Sequence, residues 1–120
     1  MPISANYLFV VSMDVDPAKE DIFNEVYDTE HVPYLLKVPG VLSITRTVMA
    51  PLTLALGGET KTIVAENEPK HTAIYEIDSP DVLVSAEWAQ ACEKGRWASD
   101  VRPFTSNRRH VLRKVTSSSN

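Results

Sequence analysis

The sequence predicts a single α+β domain built in the order β-α-β-β-α-β. Four apolar segments have the length of strands, segments with helical spacing follow the first and the third, and no internal repeat is evident. This order is typical of a ferredoxin-like fold, in which both helices lie on one face of a four-stranded antiparallel sheet. A chain of 120 residues with 43% hydrophobic residues can bury a core without disulfides or metal. We expect the domain to span residues 1–116, with a flexible tail over residues 117–120.

The first strand, the first helix and the second strand follow directly from the residue pattern. Residues 7–13 are almost continuously apolar, as in a central strand buried on both faces. A helix is predicted over about residues 17–32, because Asp16 can cap its start and Pro33 should stop it. After a turn, residues 41–49 are predicted to form the second strand.

The third strand, the second helix and the last strand repeat this pattern. Residues 71–77 have the composition of a core strand. The second helix is predicted to begin after Ser79, which can cap it, and to run to about Lys94, where a glycine follows. Residues 104–115 are predicted to form the last strand.

Residues 50–69 leave two alternatives open. The leucines of residues 52–56 alternate before Gly57-Gly58, so residues 60–64 could pair back across the glycines as a short hairpin. A plain long loop fits the pattern equally well. Loops of this length in compact domains often serve as functional lids or partner contacts.

Charge and cysteine content disfavour several classes of protein. The net charge of −4 disfavours nucleic acid as a partner, since phosphate binding needs clustered Lys and Arg, and Arg108-Arg109 is a short run expected at an edge or rim. Cys92 is the one cysteine, so an intrachain disulfide or a four-cysteine zinc site is excluded. We expect a cytoplasmic protein without a membrane partner, because a secretory signal and a membrane-spanning segment are both lacking.

One face of the predicted sheet has no helix to cover it. Alternate residues of the first strand place Leu8 and Val10 on one face and Phe9 and Val11 on the other, and both faces are therefore apolar. An exposed apolar sheet face invites a partner, so we expect a homodimer formed through the sheet face. Alternating polar residues over 43–47 make part of this surface half polar.

Two charged residues occupy positions where the periodicity predicts apolar ones. Glu30 follows Val26 by four residues and Tyr27 by three on the apolar stripe of the first helix. Arg46 shares a strand face with Ile44 and needs an anion if it is buried. A Glu30–Arg46 pair beneath the helix would satisfy both residues. Such a pair is either structural or catalytic, with Arg46 holding a substrate carboxylate or oxyanion and Glu30 orienting it.

His31 lies at the border of the same stripe. Tyr27 precedes it by one turn, Asp28 precedes it by three residues, and Tyr34 follows closely. A histidine with a carboxylate neighbour can act as a general base or acid near neutral pH. A rim or core histidine bonded to the backbone is the alternative.

The remaining histidines and the tryptophans give weaker signals. His71 and His110 begin or interrupt strands without metal-ligand spacing to a second donor, so we interpret both as structural or surface residues. Trp88 and Trp97 flank the end of the second helix, where tryptophans usually fill a core. Trp97 together with Arg102 could also line the mouth of a pocket.

Residues 16–46 resemble the first-helix signature of the dimeric α/β-barrel superfamily, near its EthD-like branch. The positions that carry the resemblance are Phe23, Tyr27, His31, Pro33, Leu35-Leu36 and Pro39-Gly40. The resemblance implies a ferredoxin-like fold, a dimer whose two sheets close into a barrel, and a pocket between helices and sheet. It also implies that the first-helix histidine of the superfamily corresponds to His31.

The resemblance implies several chemistries, among which the fold does not choose. We expect a cofactor-independent enzyme of lyase, isomerase or cyclase type acting on a small aromatic or carbonyl-containing substrate. His31 would move a proton, and Arg46 or Tyr34 would stabilise oxyanion charge. Alternatives are a cofactor-free monooxygenase, a non-catalytic binding or accessory protein, and a haem enzyme. The catalytic candidates are His31, Glu30, Arg46 and Tyr34, and the substrate-binding candidates are Tyr27, Asp28, Tyr75, Trp88 and Trp97.

Overall fold

Residues 3–120 are described by a computed structural model, and their main layer is a four-stranded antiparallel sheet. The strands in chain order are β1 (Tyr7–Val15), β2 (Val41–Val48), β3 (Leu52–Leu56), β4 (Glu59–Ile63), β5 (His71–Ile77) and β6 (Thr105–Lys114). The main sheet has the order β2-β5-β1-β6, and β3 pairs only with β4. With helical regions following β1 and β5, this is the predicted ferredoxin-like arrangement.

The first helical region is continuous and contains a widened turn. It consists of α1 (Glu20–Val26), a π-helical turn (Tyr27–His31) and α2 (Val32–Leu36). The predicted end at Val32 is wrong, because Pro33 lies inside α2. The π-helical turn makes room for the proline: the Val32 N–H bonds to the carbonyl of Tyr27, five residues back, and the hydrogen-bond register shifts before the proline ring.

The second helical region is divided, where the sequence predicts one helix up to Lys94. A 3-10 helix (Pro80–Val84) is followed by Ser85, whose backbone is extended with ψ of 152°, and α3 (Ala86–Cys92) begins there. Ser79 caps the 3-10 helix and Ser85 caps α3, each through its side-chain oxygen. A second cap signal inside the predicted helix therefore marks a break.

The segment after α3 returns the chain to the sheet. Gly95 has a φ of 71°, which an L side chain rarely adopts. A second π-helical turn (Trp97–Val101) and a short 3-10 turn (Arg102–Phe104) lead into β6. Within residues 3–120, none of the helices is long and apolar enough to cross a bilayer.

The hydrophobic core lies between the helical regions and one face of the sheet. Alternate residues of β5 are buried, and Phe23, Leu35 and Val101 of the helical regions are fully buried against them. The buried residues of β5 are His71, Ala73, Tyr75 and Ile77. This face of the sheet, the helix-facing side, forms the floor of the site described below.

The opposite face of the sheet, called the outer face, carries no helix from the described residues 3–120. Val10 at its centre pairs with Ile74 on one side and Val111 on the other. The hydroxyls of Ser12 and Thr72 hydrogen bond at 2.8 Å in a neighbouring row. The outer face is therefore apolar at its centre and polar around it.

Of the two alternatives for residues 50–69, the structure contains the hairpin. Gly57 and Gly58 both have positive φ, 62° and 82°, as a two-residue hairpin turn requires. The hairpin arm, residues 52–63, presents the exposed Leu52 and Leu56 on one face. The radius of gyration of 16.1 Å exceeds the roughly 14 Å of a compact chain of this length, so the structure is extended.

Candidate functional site

A cavity of about 150 Å³, called the His31 cavity, lies between the helical regions and the helix-facing side of the sheet. Aromatic side chains dominate its wall, with Phe9, Tyr27, His31, Tyr75, Trp88 and Trp97 among them. Its exposed members are Arg108 and His110 of β6, so the cavity opens at that edge. An apolar cavity of this size is known to hold a benzene-sized ring.

The π-helical turn decides which side chain of the first helical region enters this cavity. With regular α-helical spacing, Glu30 falls on the stripe set by Val26 and Tyr27. The widened turn adds one residue, so the stripe resumes at His31 and continues at Leu35, both of which are buried. This is why His31 rather than Glu30 lies in the wall.

Aromatic packing holds the His31 ring. It stacks on Trp97 with ring centroids 4.4 Å apart and 17° between the planes, and the Tyr27 ring meets its edge at 5.1 Å. Nδ1 is buried and has no hydrogen-bond partner within residues 3–120. Burial, helped by the nearby Arg102 cation, lowers the pKa of His31 to about 4, so the imidazole is neutral at pH 7.

Two tyrosine hydroxyls form the polar part of the wall. Those of Tyr27 and Tyr75 hydrogen bond to each other at 2.9 Å. Burial raises the pKa of Tyr27 to about 12 and raises the pKa of Tyr75 well above its usual range, so both keep their protons at neutral pH. Only one proton bridges the pair, which leaves the other hydroxyl proton free to bond elsewhere.

The predicted pairing of Glu30 with Arg46 is wrong. Glu30 accepts hydrogen bonds from the backbone N–H of Arg96 at 2.9 Å and from its Nε at 2.6 Å. The absence of a side chain at Gly95 allows this approach, because a Cβ there would collide with the Glu30 carboxylate. Glu30 therefore anchors the segment that presents Trp97, and these contacts hold the pKa of its carboxyl below the usual range.

Arg46 lies outside the His31 cavity. Its guanidinium donates to Asp28 and to Asn24, each at 2.8 Å, and lies 4.7 Å from the centre of the Tyr27 ring. Asp28 therefore pairs with Arg46, and the prediction that Asp28 is the carboxylate partner of His31 is also wrong.

The other predicted site residues divide between the cavity and the surface. Tyr75, Trp88 and Trp97 line the His31 cavity, as does Tyr27. Tyr34 lines a separate hollow beside α3, with the Lys94 ammonium 5.7 Å from the centre of its ring. An oxyanion-stabilising role for Tyr34 in the His31 cavity is therefore not supported.

Sequence reasoning missed two residues of β6 that line the cavity. His110 lies opposite Val11, and its ring stacks on Phe9 with centroids 6.0 Å apart. Arg108 follows Asn107, whose φ of 50° lies at the irregularity in the pairing of β1 with β6. In a regular strand, Arg108 would share a face with His110 because the two residues are two positions apart. The irregularity in the strand pairing makes this face assignment uncertain from the sequence alone.

A second buried histidine lies in a different environment. Nε2 of His71 is 2.8 Å from the carboxylate of Glu20, which also accepts from Lys70 at 2.8 Å. The ring packs 4.7 Å from that of Phe23, and Nδ1 has no partner within residues 3–120. His71, Glu20 and Arg46 border an open hollow of about 340 Å³, called the His71 hollow. In the described part of the chain, no group of three or more His, Cys, Asp or Glu side chains could hold a metal ion.

Comparison with known proteins agrees with this architecture. No protein-family model and no curated protein sequence matches the chain. Among solved structures, the chain is similar to an ethyl tert-butyl ether d (EthD) family protein from Bacillus halodurans, with 13% sequence identity and a TM-score of 0.56. The match covers 92% of this chain and 99% of the other. The resemblance drawn from residues 16–46 is thus confirmed at the level of the fold, and the chain has an EthD-like ferredoxin fold.

Proposed function

We propose that this protein binds a small aromatic or carbonyl-containing molecule in the His31 cavity and converts it without a cofactor, by lyase, isomerase or cyclase chemistry. The observation that carries the proposal is the His31 ring, a buried imidazole in an aromatic cavity wall whose Nδ1 has no partner within residues 3–120. Buried polar atoms usually have partners, and exceptions call for an explanation. A cavity ligand that hydrogen bonds to the imidazole would provide one.

A neutral His31 is suited to accept a proton from the substrate. When a C–H bond next to a carbonyl breaks, the proton moves to the imidazole and the electron pair moves onto the carbonyl oxygen. An imidazolium alone is costly in this buried wall, as the lowered pKa of about 4 for His31 indicates. The enolate formed beside it offsets that cost, because opposite charges attract strongly where water is excluded.

The Tyr27–Tyr75 pair can stabilise the developing oxyanion. One hydroxyl proton bridges the two oxygens at 2.9 Å, and the second can donate to the substrate oxygen. Trp88 and Trp97 supply flat walls against which a ring can pack. In this proposal Glu30 and Arg46 are positioning residues, Glu30 through Arg96 and Arg46 through the Tyr27 ring.

The catalytic proposal is tested with His31→Gln. A panel of one-ring aromatic acids and ketones, screened by thermal shift, identifies a ligand, and mass spectrometry follows its conversion. We expect His31→Gln to keep its circular dichroism spectrum and its ligand binding, while turnover falls by about 100-fold or more. Unchanged turnover would remove His31 as the proton acceptor, and binding without turnover by the unmodified protein would indicate a binding or accessory protein.

Two measurements separate the other chemistries of this fold. Oxygen consumption that keeps pace with turnover would identify the cofactor-free monooxygenase alternative. Absorbance near the Soret region in the purified protein would identify the haem alternative instead. We expect neither signal.

We also propose a homodimer formed through the outer face. The apolar row of Val10, Ile74 and Val111 and the exposed leucines of the hairpin arm are uncovered in residues 3–120, and both support a second copy as partner. Light scattering at micromolar concentration should give the mass of a dimer, and Val10→Glu should give that of a monomer. A matched Val84→Glu substitution, at a residue that is 85% exposed, should leave the dimer intact. A stable monomer of the unmodified chain would contradict the proposal.

A further inference from the structure

Arg108 differs from Arg102 and Arg109 in having no side-chain partner within residues 3–120. Arg102 donates to both carboxylate oxygens of Glu93, and Arg109 donates to Glu68 at 2.7 Å. Arg108 makes no side-chain hydrogen bond or ion pair within residues 3–120, although it lines the opening of the His31 cavity. A guanidinium has five donors and is always charged, so it is suited to bind a planar anion with two parallel hydrogen bonds.

The charge around the cavity contrasts with that of the whole chain. The chain has a net charge of −4, yet none of the residues that line the described cavity is Asp or Glu. The charged residues of the lining are Arg102 and Arg108, and Glu93 offsets the first of them. The uncompensated charge at the opening is therefore the cation of Arg108.

The interior of the cavity indicates the size and the chemistry of the remainder of the ligand. Its volume of about 150 Å³ suits one six-membered ring, and its walls are mostly aromatic. A ring packed against Trp88 and Trp97 would direct a substituent toward the opening, where the exposed residues of the lining are found. The aromatic interior of the cavity thus matches the ring of an aromatic acid, and the cation at its opening matches the carboxylate.

We infer that the ligand of the His31 cavity is a one-ring aromatic carboxylate whose ring lies between the aromatic walls and whose carboxylate is bound by Arg108. This inference rests on the proposed function and specifies its substrate class.

The two tryptophans of the chain, Trp88 and Trp97, both line the cavity, so tryptophan fluorescence reports its occupancy. Titrations with benzoate and with benzamide compare two ligands of nearly equal shape that differ in charge. We expect the intact protein to bind benzoate about tenfold or more tightly than benzamide, the effect of a charge-assisted pair of hydrogen bonds. The preference should weaken as salt concentration rises.

Three variants complete the experiment. Arg108→Gln should abolish the preference for benzoate, Arg108→Lys should keep part of it, and Lys114→Gln, which removes an exposed cation of the same strand away from the cavity, should keep all of it. Equal binding of both compounds, unaffected by Arg108→Gln, would overturn the carboxylate inference and leave the proposed binding site standing. Failure of both compounds to alter the fluorescence would overturn the inference and the proposed site together.

Discussion

The two buried histidines show how differently one residue type is used in this fold. His31 and His71 are 5% and 6% exposed, and each has a buried Nδ1 without a partner within residues 3–120. His71 is fixed by the Glu20 carboxylate at 2.8 Å, whereas His31 is held by packing against the rings of Trp97 and Tyr27. Burial is therefore the same for both, and the hydrogen-bond partner distinguishes them.

The surroundings extend this contrast. At the His71 hollow, Glu20, Lys70 and Arg46 all have partners of opposite charge, so the charged groups satisfy one another. The His31 cavity has aromatic walls and no carboxylate in its described lining, and Arg108 at its opening has no partner within residues 3–120. Because both places contain a histidine Nδ1 without a partner, the comparison teaches that an unpaired cation beside an aromatic cavity marks the better candidate for a ligand site.

The largest expected effect comes from removing the aromatic support of His31. Trp97→Ala should lower the free energy of unfolding by about 4 kcal/mol, because it deletes a buried indole and leaves a void. It should also raise the pKa of His31 towards 6.5, since water gains access to the ring. Urea denaturation and a histidine NMR titration measure the two effects. A matched Val84→Ala substitution at an exposed residue should do neither, and a loss below about 1 kcal/mol for Trp97→Ala would contradict the account.

The next largest effect is a dependence of the free energy of unfolding on pH, which arises from the titration of His31. Its pKa is about 4 in the folded protein and about 6.5 in the unfolded chain, so between these values the unfolded state binds more protons. The free energy of unfolding should therefore fall by up to about 3 kcal/mol as pH drops from 6.5 to 4. Denaturation curves across this range should show the fall, and His31→Gln should flatten it.

The carboxylates provide a separate check on this pH range. The pKa values of Glu30 and Glu93 are lowered by their arginine partners, so the stability these groups contribute is lost only below about 4.5. The upper part of the range, from 6.5 to 4.5, consequently isolates the histidine. An unchanged slope there in His31→Gln would show that another group titrates.

A smaller effect is expected from the hydroxyl pair of the cavity wall. Tyr27→Phe leaves the Tyr75 hydroxyl without its 2.9 Å partner and should lower the free energy of unfolding by about 1 kcal/mol. Tyr34→Phe, which removes a hydroxyl outside the cavity, is the matched control. Equal losses in the two variants would mean that the buried pair contributes nothing specific.

The smallest effect on the His31 cavity should follow from removing the hydrogen-bond partner of His71. Glu20→Ala removes the partner of both His71 and Lys70, so the thermal midpoint should fall, but by less than in Trp97→Ala. Ligand binding detected by tryptophan fluorescence should stay unchanged, because Glu20 does not line the His31 cavity. Asp21→Ala, one residue away and exposed, is the control. Weakened binding in Glu20→Ala alone would show that the two regions are coupled.

The strands and the sheet were predictable because their signals are local. The apolar run of β1 and the alternation of β5 each lie within a few consecutive residues. The paired glycines of the hairpin arm left a hairpin and a plain loop as alternatives. The division of the second helical region was readable in principle, since Ser85 is a second cap inside it. Helix boundaries failed in both regions, because the first helix was expected to stop before Pro33 and the second was expected to continue without a break.

The site was harder to predict because it depends on one extra residue. The π-helical turn at Tyr27–His31 exchanges the places of Glu30 and His31, and helical periodicity with a fixed period of 3.6 does not detect it. The partners of Glu30 and Arg46 also come from distant or rotated positions, Arg96 in one case and Asp28 in the other. His31 was found from the sequence, whereas Arg108 depends on strand register, which only the folded chain defines.

The most direct test of the central claim is an NMR titration of the protein with benzoate that follows the imidazole signals of His31 and His71. The account predicts that the His31 signals shift and saturate with added benzoate, while those of His71 stay in place, because only the first ring lines the aromatic cavity. Shifts at His71 with none at His31, or no shift at either ring, would contradict it.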